Sequence, residues 1–159
     1  MTAITAPMVA LENLQKALGD GIALMECELN PGIDLVPDYP PGEQSMSYAK
    51  IERGFVQALA VLVPIEPIDG VPCFAITFAV SGQCQRRGLA REMIEVAIAE
   101  LRHGLGRNGI IKFYIEALVP ADNLPAQKVA SSAISQDYHD IAMAESETKA
   151  IQYLRLVMC

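Results

Sequence analysis

Between an apolar run and an amphipathic one lies Val80-Ser81-Gly82-Gln83-Cys84-Gln85-Arg86-Arg87-Gly88-Leu89-Ala90. Val71 to Val80, just before it, is apolar and rich in β-branched residues, the pattern of a strand buried on both faces. After it, from about Gly88 to His103, Ala90, Met93, Ile94, Ala97, Ile98 and Leu101 recur at helical spacing. Arg91, Glu92, Glu95 and Arg102 take the opposite face. A strand, a turn of small residues and a helix start make a ready anion site. The unpaired N–H groups of the first helical turn point at the ligand, and the helix dipole favours negative charge there. Gly88 and Ala90 lack the bulk that would keep a phosphate off the backbone. Arg86 and Arg87 stand at the unfavourable, positive end of that dipole. They read either as a solvated helix start or as contacts to an anion.

The rest of the chain supplies strands around this unit. Residues 8–18 have helical spacing and Gly19 can end that helix; residues 22–29 read as a strand. Residues 31–45 hold Pro31, Gly32, Pro37, Pro40, Pro41 and Gly42, which predicts a long loop, either a lid or a passive surface segment. Tyr48 to Ile51 and Phe55 to Val63 are strand-like and joined at Glu52-Arg53-Gly54; Pro64 to Gly70 predicts a second turn. Gly104-Leu105-Gly106-Arg107-Asn108-Gly109 matches G-x-G-x-x-G, but it follows a helix and opens a strand. It therefore reads as a helix stop and an Asn-Gly turn, not a dinucleotide fingerprint. Ile110 to Val119 is the next strand, which predicts a right-handed strand–helix–strand crossover. Asp122 or Asn123 caps a helix running to about Ser132, with Pro125 in its first turn. Asp137 to Ala144 and Thr148 to Val157 read as a closing hairpin. The fold class is α/β (α+β), a central mixed and mostly antiparallel sheet flanked by helices, in one domain spanning residues 1–159.

Composition narrows the functions. The 159 residues are 52% hydrophobic and 19% charged, which describes a packed globular chain. A net charge of -7 argues against nucleic acid as a partner. It is weakly compatible with a cationic acceptor such as an amine, and reads more simply as plain solubility. Cys27, Cys73, Cys84 and Cys159 lack metal-ligand spacing, so no metal is expected. Cys27 and Cys73 read as core. Cys84, beside the arginines, would act as a nucleophile only with a placed base. No apolar run reaches the roughly 18–20 residues of a membrane span, and the start of the chain lacks a leader pattern. The expectation is a cytoplasmic protein with no membrane contact.

Element order and motif together resemble the GNAT superfamily of acetyl-CoA-dependent N-acyltransferases. The family's phosphate loop reads Gln/Arg-x-x-Gly-x-Gly/Ala after a strand valine or isoleucine, and Val80, Gln85, Gly88 and Ala90 fall on those positions. Glu92 resembles the Gly-x-Ala-x-Glu variant of the ribosomal-protein alanine N-acetyltransferase branch. That branch carries Asn-x-x-Ser-x-x-Val on the following helix, where this chain has Asn123, Ala126 and Val129. The resemblance covers about residues 46–157; residues 1–45 do not show the family's usual opening of one strand and two helices.

The resemblance implies acetyl-CoA as cosubstrate and transfer of its acetyl group to a primary amine by direct attack in a ternary complex. The CoA pyrophosphate would lie on the N–H groups of Gln85, Arg86, Arg87, Gly88, Leu89 and Ala90, helped by arginines including Arg91. The pantetheine arm would pair with the backbone of Phe78, Ala79 and Val80 like an added strand. Asn123 would reach the arm, cap its helix, or do both. Where many members place a catalytic glutamate this chain has Phe74, and where many place a tyrosine it has Ala130. Replacement proton carriers are Glu116, Tyr138 and His139, or a bound water. The acceptor would be a small-molecule or peptide amine. Strand edges and the apolar run Leu154 to Met158 suit a homodimer or the core. Two alternatives stay open: a non-catalytic acyl-CoA-binding or regulatory module, and an unrelated domain binding another phosphate.

Overall fold

The computed structural model describes residues 6–39, 42, 44–134, 138–142 and 149–159; of 138–142 and 149 only the backbone is described. Among the described residues, eight strands form one sheet in the order β1-β2-β3-β4-β5-β6-β8-β7. They are β1 (Met25–Glu26), β2 (Asp34–Pro37), β3 (Met46–Glu52), β4 (Phe55–Ile68), β5 (Val71–Val80), β6 (Lys112–Pro120), β7 (Tyr138–Ala142) and β8 (Lys149–Met158). Helices α1 (Pro7–Gly19), α2 (Leu89–Arg107) and α3 (Leu124–Ala133) complete the fold. Every strand pair is antiparallel except β5–β6, which the long helix α2 connects. Among the described residues no helix is long and apolar enough to cross a membrane.

The hairpin turns follow their residues. Arg53 (φ 53°) and Gly54 (φ 78°) join β3 to β4, and Asp69 (φ 50°) and Gly70 (φ 77°) join β4 to β5. Two consecutive left-handed residues give a turn whose twist matches that of the strands. The turn expected over Pro64 to Gly70 is shorter than predicted, because β4 continues to Ile68 with an irregularity between Ile65 and Ile68. Pro64 is tolerated because β3 pairs with β4 only as far as Met46↔Leu62. Beyond that point β4 is an edge on one side, and no ladder bond is lost.

Strand alternation sorts the core into two layers. On one face α2 buries Met93, Ile94, Ala97 and Leu101 against Tyr48, Ala60, Leu62, Ile76, Phe113 and Ile115. On the other, α1 buries Ala10, Leu11 and Leu14 against Val36, Leu59, Val61 and Ala79. Gln15 ties α1 to the β3–β4 hairpin, donating to the Gly54 carbonyl and accepting from the Val56 N–H, both at 2.8 Å.

Three further expectations need correction. The strand expected at 22–29 is only Met25–Glu26, since the Cys27 N–H turns to the Ile33 carbonyl at 3.1 Å and the Leu29 N–H to the Glu100 carboxylate at 2.9 Å. The loop expected at 31–45 contains β2, which pairs with β3 through Asp34↔Ala49 to Pro37↔Met46. Pro37 ends that strand, where its missing N–H costs nothing. Helix α2 runs past His103 through Gly104 and Gly106, stopping at Arg107 with Gly109 left-handed at φ 82°. The continuing apolar stripe, with Leu105 against the core, overrides two unfavourable glycines.

Candidate functional site

Strands β5 and β6 pair only through Cys73↔Tyr114, Phe74↔Ile115 and Ala75↔Glu116. Beyond Ala75 they part, while β5 stays paired with β4 as far as Val80 and β6 with β8 as far as Pro120. The result is a wedge in the sheet. One side is the backbone edge of residues 76–80, among them Phe78, Ala79 and Val80, and the other is that of residues 117–120. Such an edge is a template for an added extended ligand.

The loop expected to hold an anion closes the wide end. The Ser81 N–H donates to the Gln57 carbonyl at 2.9 Å, which anchors the loop to β4. A single 3-10 turn, Gly82–Cys84, follows. Buried Cys84 and Leu89 pin the loop to the core, so the sulfur of Cys84 does not face the surface as a nucleophile would. Arg86 (φ 64°) and Gly88 (φ 73°) are left-handed, and alternation of this kind turns successive N–H groups toward one concavity. Glu92 resumes the hydrogen-bond ladder, donating to the Gly88 carbonyl at 3.1 Å. Among the described residues, no backbone N–H from Gly88 to Arg91 donates to another backbone group or side chain. The space beside Gly88, where a side chain would stand, is open.

The side chains leave the loop positive. Gln85, Arg86 and Arg87 are exposed, and among the described residues no carboxylate pairs with either arginine. Arg91 pairs with Glu95 at 3.0 Å, one turn along. Glu92 is held by Lys50 of β3 at 3.1 Å, which offsets its repulsion of an incoming anion. Asn123 caps α3, accepting from the Ala126 N–H at 3.2 Å; its amide nitrogen keeps its own donors. Gln127 closes the β6–α3 turn by donating to the Pro120 and Ala121 carbonyls.

Phe74 faces the α2 layer and packs edge-on against Phe113, with ring centroids 6.0 Å apart. Ala130 is fully buried in the same layer. Neither position carries a titratable group. Glu116 lies at the apex of the wedge on the opposite face, half-buried, and accepts from the Gln152 amide at 2.7 Å. Cys73 shares that face. Burial first, and then the nearby Glu116 charge, push its thiol up to about 11, against a small opposing effect from the Phe74 backbone. Tyr138 and His139 lie on β7, and their side chains fall outside the described residues. Two polar groups at the wedge escaped the sequence reading, Gln152 and Thr77. Alternation along β5 places Thr77 on the Glu116 face, a signal available in the sequence. Its significance appears only once β6 is seen to leave.

A separate cavity of about 700 Å³ is lined by Leu124, Pro125, Gln127, Lys128, Ser131, Ile151 and Tyr153. It shares no residue with the wedge or the anion loop.

No family model matches the chain, and no curated protein matches it. Among solved structures it is similar to an acetyl transferase from Salmonella typhimurium that modifies the N-terminal serine of ribosomal protein L7/L12, with 16% identity and TM-score 0.52 over 76% of this chain and 67% of that one. It is similar to RimL, a ribosomal L7/L12 alpha-N-protein acetyltransferase in complex with coenzyme A, with 18% identity and TM-score 0.52 over 71% and 62%. An acetyltransferase of the GNAT family from Streptococcus pneumoniae aligns over 98% of this chain and 97% of its own, with 12% identity and TM-score 0.56. The chain therefore spans about two thirds of the length of the two ribosomal-protein enzymes and nearly all of the third. The fold is that of the GNAT acetyltransferases.

Proposed function

We propose that this chain is an acetyl-CoA-dependent N-acetyltransferase, acting in the cytoplasm on a primary amine of a small molecule or peptide. The observation that carries this reading is the wedge between β5 and β6 ending in a left-handed glycine loop at the start of α2. Among the described residues, one edge of it offers unpaired strand backbone, and its end offers unpaired N–H groups beside two arginines without a carboxylate partner. A nucleotide with an extended, amide-bearing arm and a pyrophosphate fits both parts. The likeness to RimL, solved with coenzyme A, supports the same ligand.

Acetyl-CoA supplies an activated acyl group and a thiolate leaving group. In this proposal Gln85 to Ala90 hold the pyrophosphate through backbone N–H groups, and Arg86, Arg87 and Arg91 balance its charge. The backbone of Phe78 to Val80 pairs with the arm, and an N–H on that edge polarises the thioester carbonyl. Asn123 reaches the arm with the amide nitrogen its cap leaves free. An ammonium has no lone pair, so a base must take a proton before attack. Glu116 is our assignment for that role, because it stands at the apex of the wedge with the Gln152 amide nitrogen donating to its carboxylate. Tyr138 and His139 remain alternative carriers, and water protonates the thiolate. Acceptor chemistry is proposed by analogy with the Salmonella enzyme, which modifies a protein N-terminus. A homodimer is also proposed, through the exposed Leu156 and Met158 of β8.

The test is calorimetry with acetyl-CoA followed by thiol release over a panel of amines. Binding with turnover is expected, and Glu116→Gln should lower kcat at least about 100-fold with acetyl-CoA affinity kept. No binding at millimolar ligand would overturn the proposal. Phe74 and Ala130 favour a second reading, a non-catalytic acyl-CoA-binding module. Binding without thiol release from any amine would select it.

A further inference from the structure

The wedge has two faces, and they differ in chemistry. Residues opposite one another in neighbouring strands share a face. Phe78 lies opposite Ala60 and Ile76 opposite Leu62, so both belong to the α2 layer, the layer on which the anion loop sits. Thr77 lies opposite Val61 and belongs to the α1 face, together with Cys73, Ala75 and Glu116. Thr77 stands two residues past the last β5–β6 pair, so it belongs to the open part of the wedge. Its hydroxyl oxygen is buried, and among the described residues it is the one buried side-chain oxygen or nitrogen without a hydrogen-bond partner. Its neighbours along this face of β5, Ala75 and Ala79, are small and buried. Valine would fill the same volume without leaving a hydroxyl unsatisfied, so a buried orphan hydroxyl calls for a ligand.

The geometry points to Thr77 as a positioning residue for the acceptor amine, which would enter the wedge from the α1 face, opposite the anion loop. This rests on the transferase reading above. The amine arrives as an ammonium, and one proton goes to the Glu116 carboxylate. Thr77 Oγ1 accepts one of the remaining N–H bonds, so the freed lone pair is aimed at the thioester carbon. The new N–C bond forms as the C–S bond breaks; the second proton lost by the nitrogen passes through water to the departing thiolate, and the proton held by Glu116 goes to solvent, so a neutral amide and a thiol result. Thr77 keeps its own proton throughout. It orients the amine and does not act as acid or base.

Thr77→Val and Thr77→Ser test this, with three acceptor probes: a peptide with a free N-terminus, Nα-acetyl-lysine amide and spermidine. For Thr77→Val, acetyl-CoA affinity by calorimetry should match wild type, while KM for the amine rises about 10-fold, the loss of one hydrogen bond. Thr77→Ser, which keeps the hydroxyl, should stay within about 3-fold of wild type. Without ligand, Thr77→Val should melt at or above the wild-type temperature, because it removes an unsatisfied group. Unchanged amine KM in Thr77→Val overturns the inference while leaving the transferase reading intact. So does an equal loss of acetyl-CoA affinity, or a lowered melting temperature. If wild type turns over none of the probes, the transferase reading fails and this inference falls with it.

Discussion

Gly88 separates what the fold needs from what the ligand needs. It is left-handed at φ 73°, and a Cβ built on it meets nothing within 4 Å. Gly88→Ala therefore disturbs no packing, and its effect on stability is conformational. A left-handed alanine costs roughly 1–2 kcal/mol, partly offset by reduced freedom of the unfolded chain. A net loss of about 1 kcal/mol lowers Tm by roughly 2–4 °C in a chain of this size. The binding effect should be much larger. The open space beside Gly88 is where a pyrophosphate would meet the free N–H groups, and a methyl there holds it away. Losing one charge-assisted hydrogen bond costs about 1.5–3 kcal/mol, or roughly 10- to 100-fold in Kd. Gly70→Ala is the matched control: φ is 77°, the surrounding space is open, and the site is the hairpin at the far end of β5. The two variants should melt together, and only Gly88→Ala should lose acetyl-CoA affinity in calorimetry. Equal affinities in the two variants would refute the assignment of this loop as the anion site.

The cap of α3 offers a second separation. Asn123→Ala should lose about 1 kcal/mol of stability, whereas Asn123→Asp keeps a capping oxygen and should melt like wild type. If the free amide nitrogen holds the arm, both variants weaken acetyl-CoA binding, which calorimetry on the pair will show. The cysteines predict a reactivity pattern and a pH profile. Cys159 is exposed and the other three are buried, so one thiol should react rapidly with an aromatic disulfide reagent at pH 8 and the rest only on unfolding. Burial, together with the carboxylates of Glu100 and Asp34, pushes Cys27 up to about 12; burial with Glu116 pushes Cys73 up to about 11; the ordinary value is 9.0. Between these values the unfolded chain releases protons that the native chain keeps, so stability falls as pH rises above about 9. Urea midpoints at pH 8 and pH 10 measure this, and a higher midpoint at pH 10 would contradict it.

Much of the fold is legible in local chemistry. The stripe from Ala90 to Leu101 specifies α2, Asn123 with Pro125 specifies the start of α3, and Arg53-Gly54 and Asp69-Gly70 specify hairpins. Each of these signals lies within a few residues of the structure it dictates. Three of the misreadings concern proline and glycine, whose effect depends on distant partners. Pro64 sits inside β4 because β3 has already ended beside it. Pro37 closes β2 because β3 provides an edge for the preceding residues. Gly104 and Gly106 stay helical because the α2 stripe continues over the core.

The site divides the same way. The loop proposed to hold an anion is written in one continuous stretch, Gln85 to Ala90, with a strand before it and a helix after it. By itself the sequence also shows that Phe74 and Ala130 carry no proton. Tertiary structure alone decides where β5 and β6 stop pairing, which face Glu116 takes relative to the loop, and that the Thr77 hydroxyl has no partner among the described residues. Helix starts and tight turns are set by neighbours along the chain. A wedge is set by two strands far apart in sequence, each held by a different partner, β4 on one side and β8 on the other.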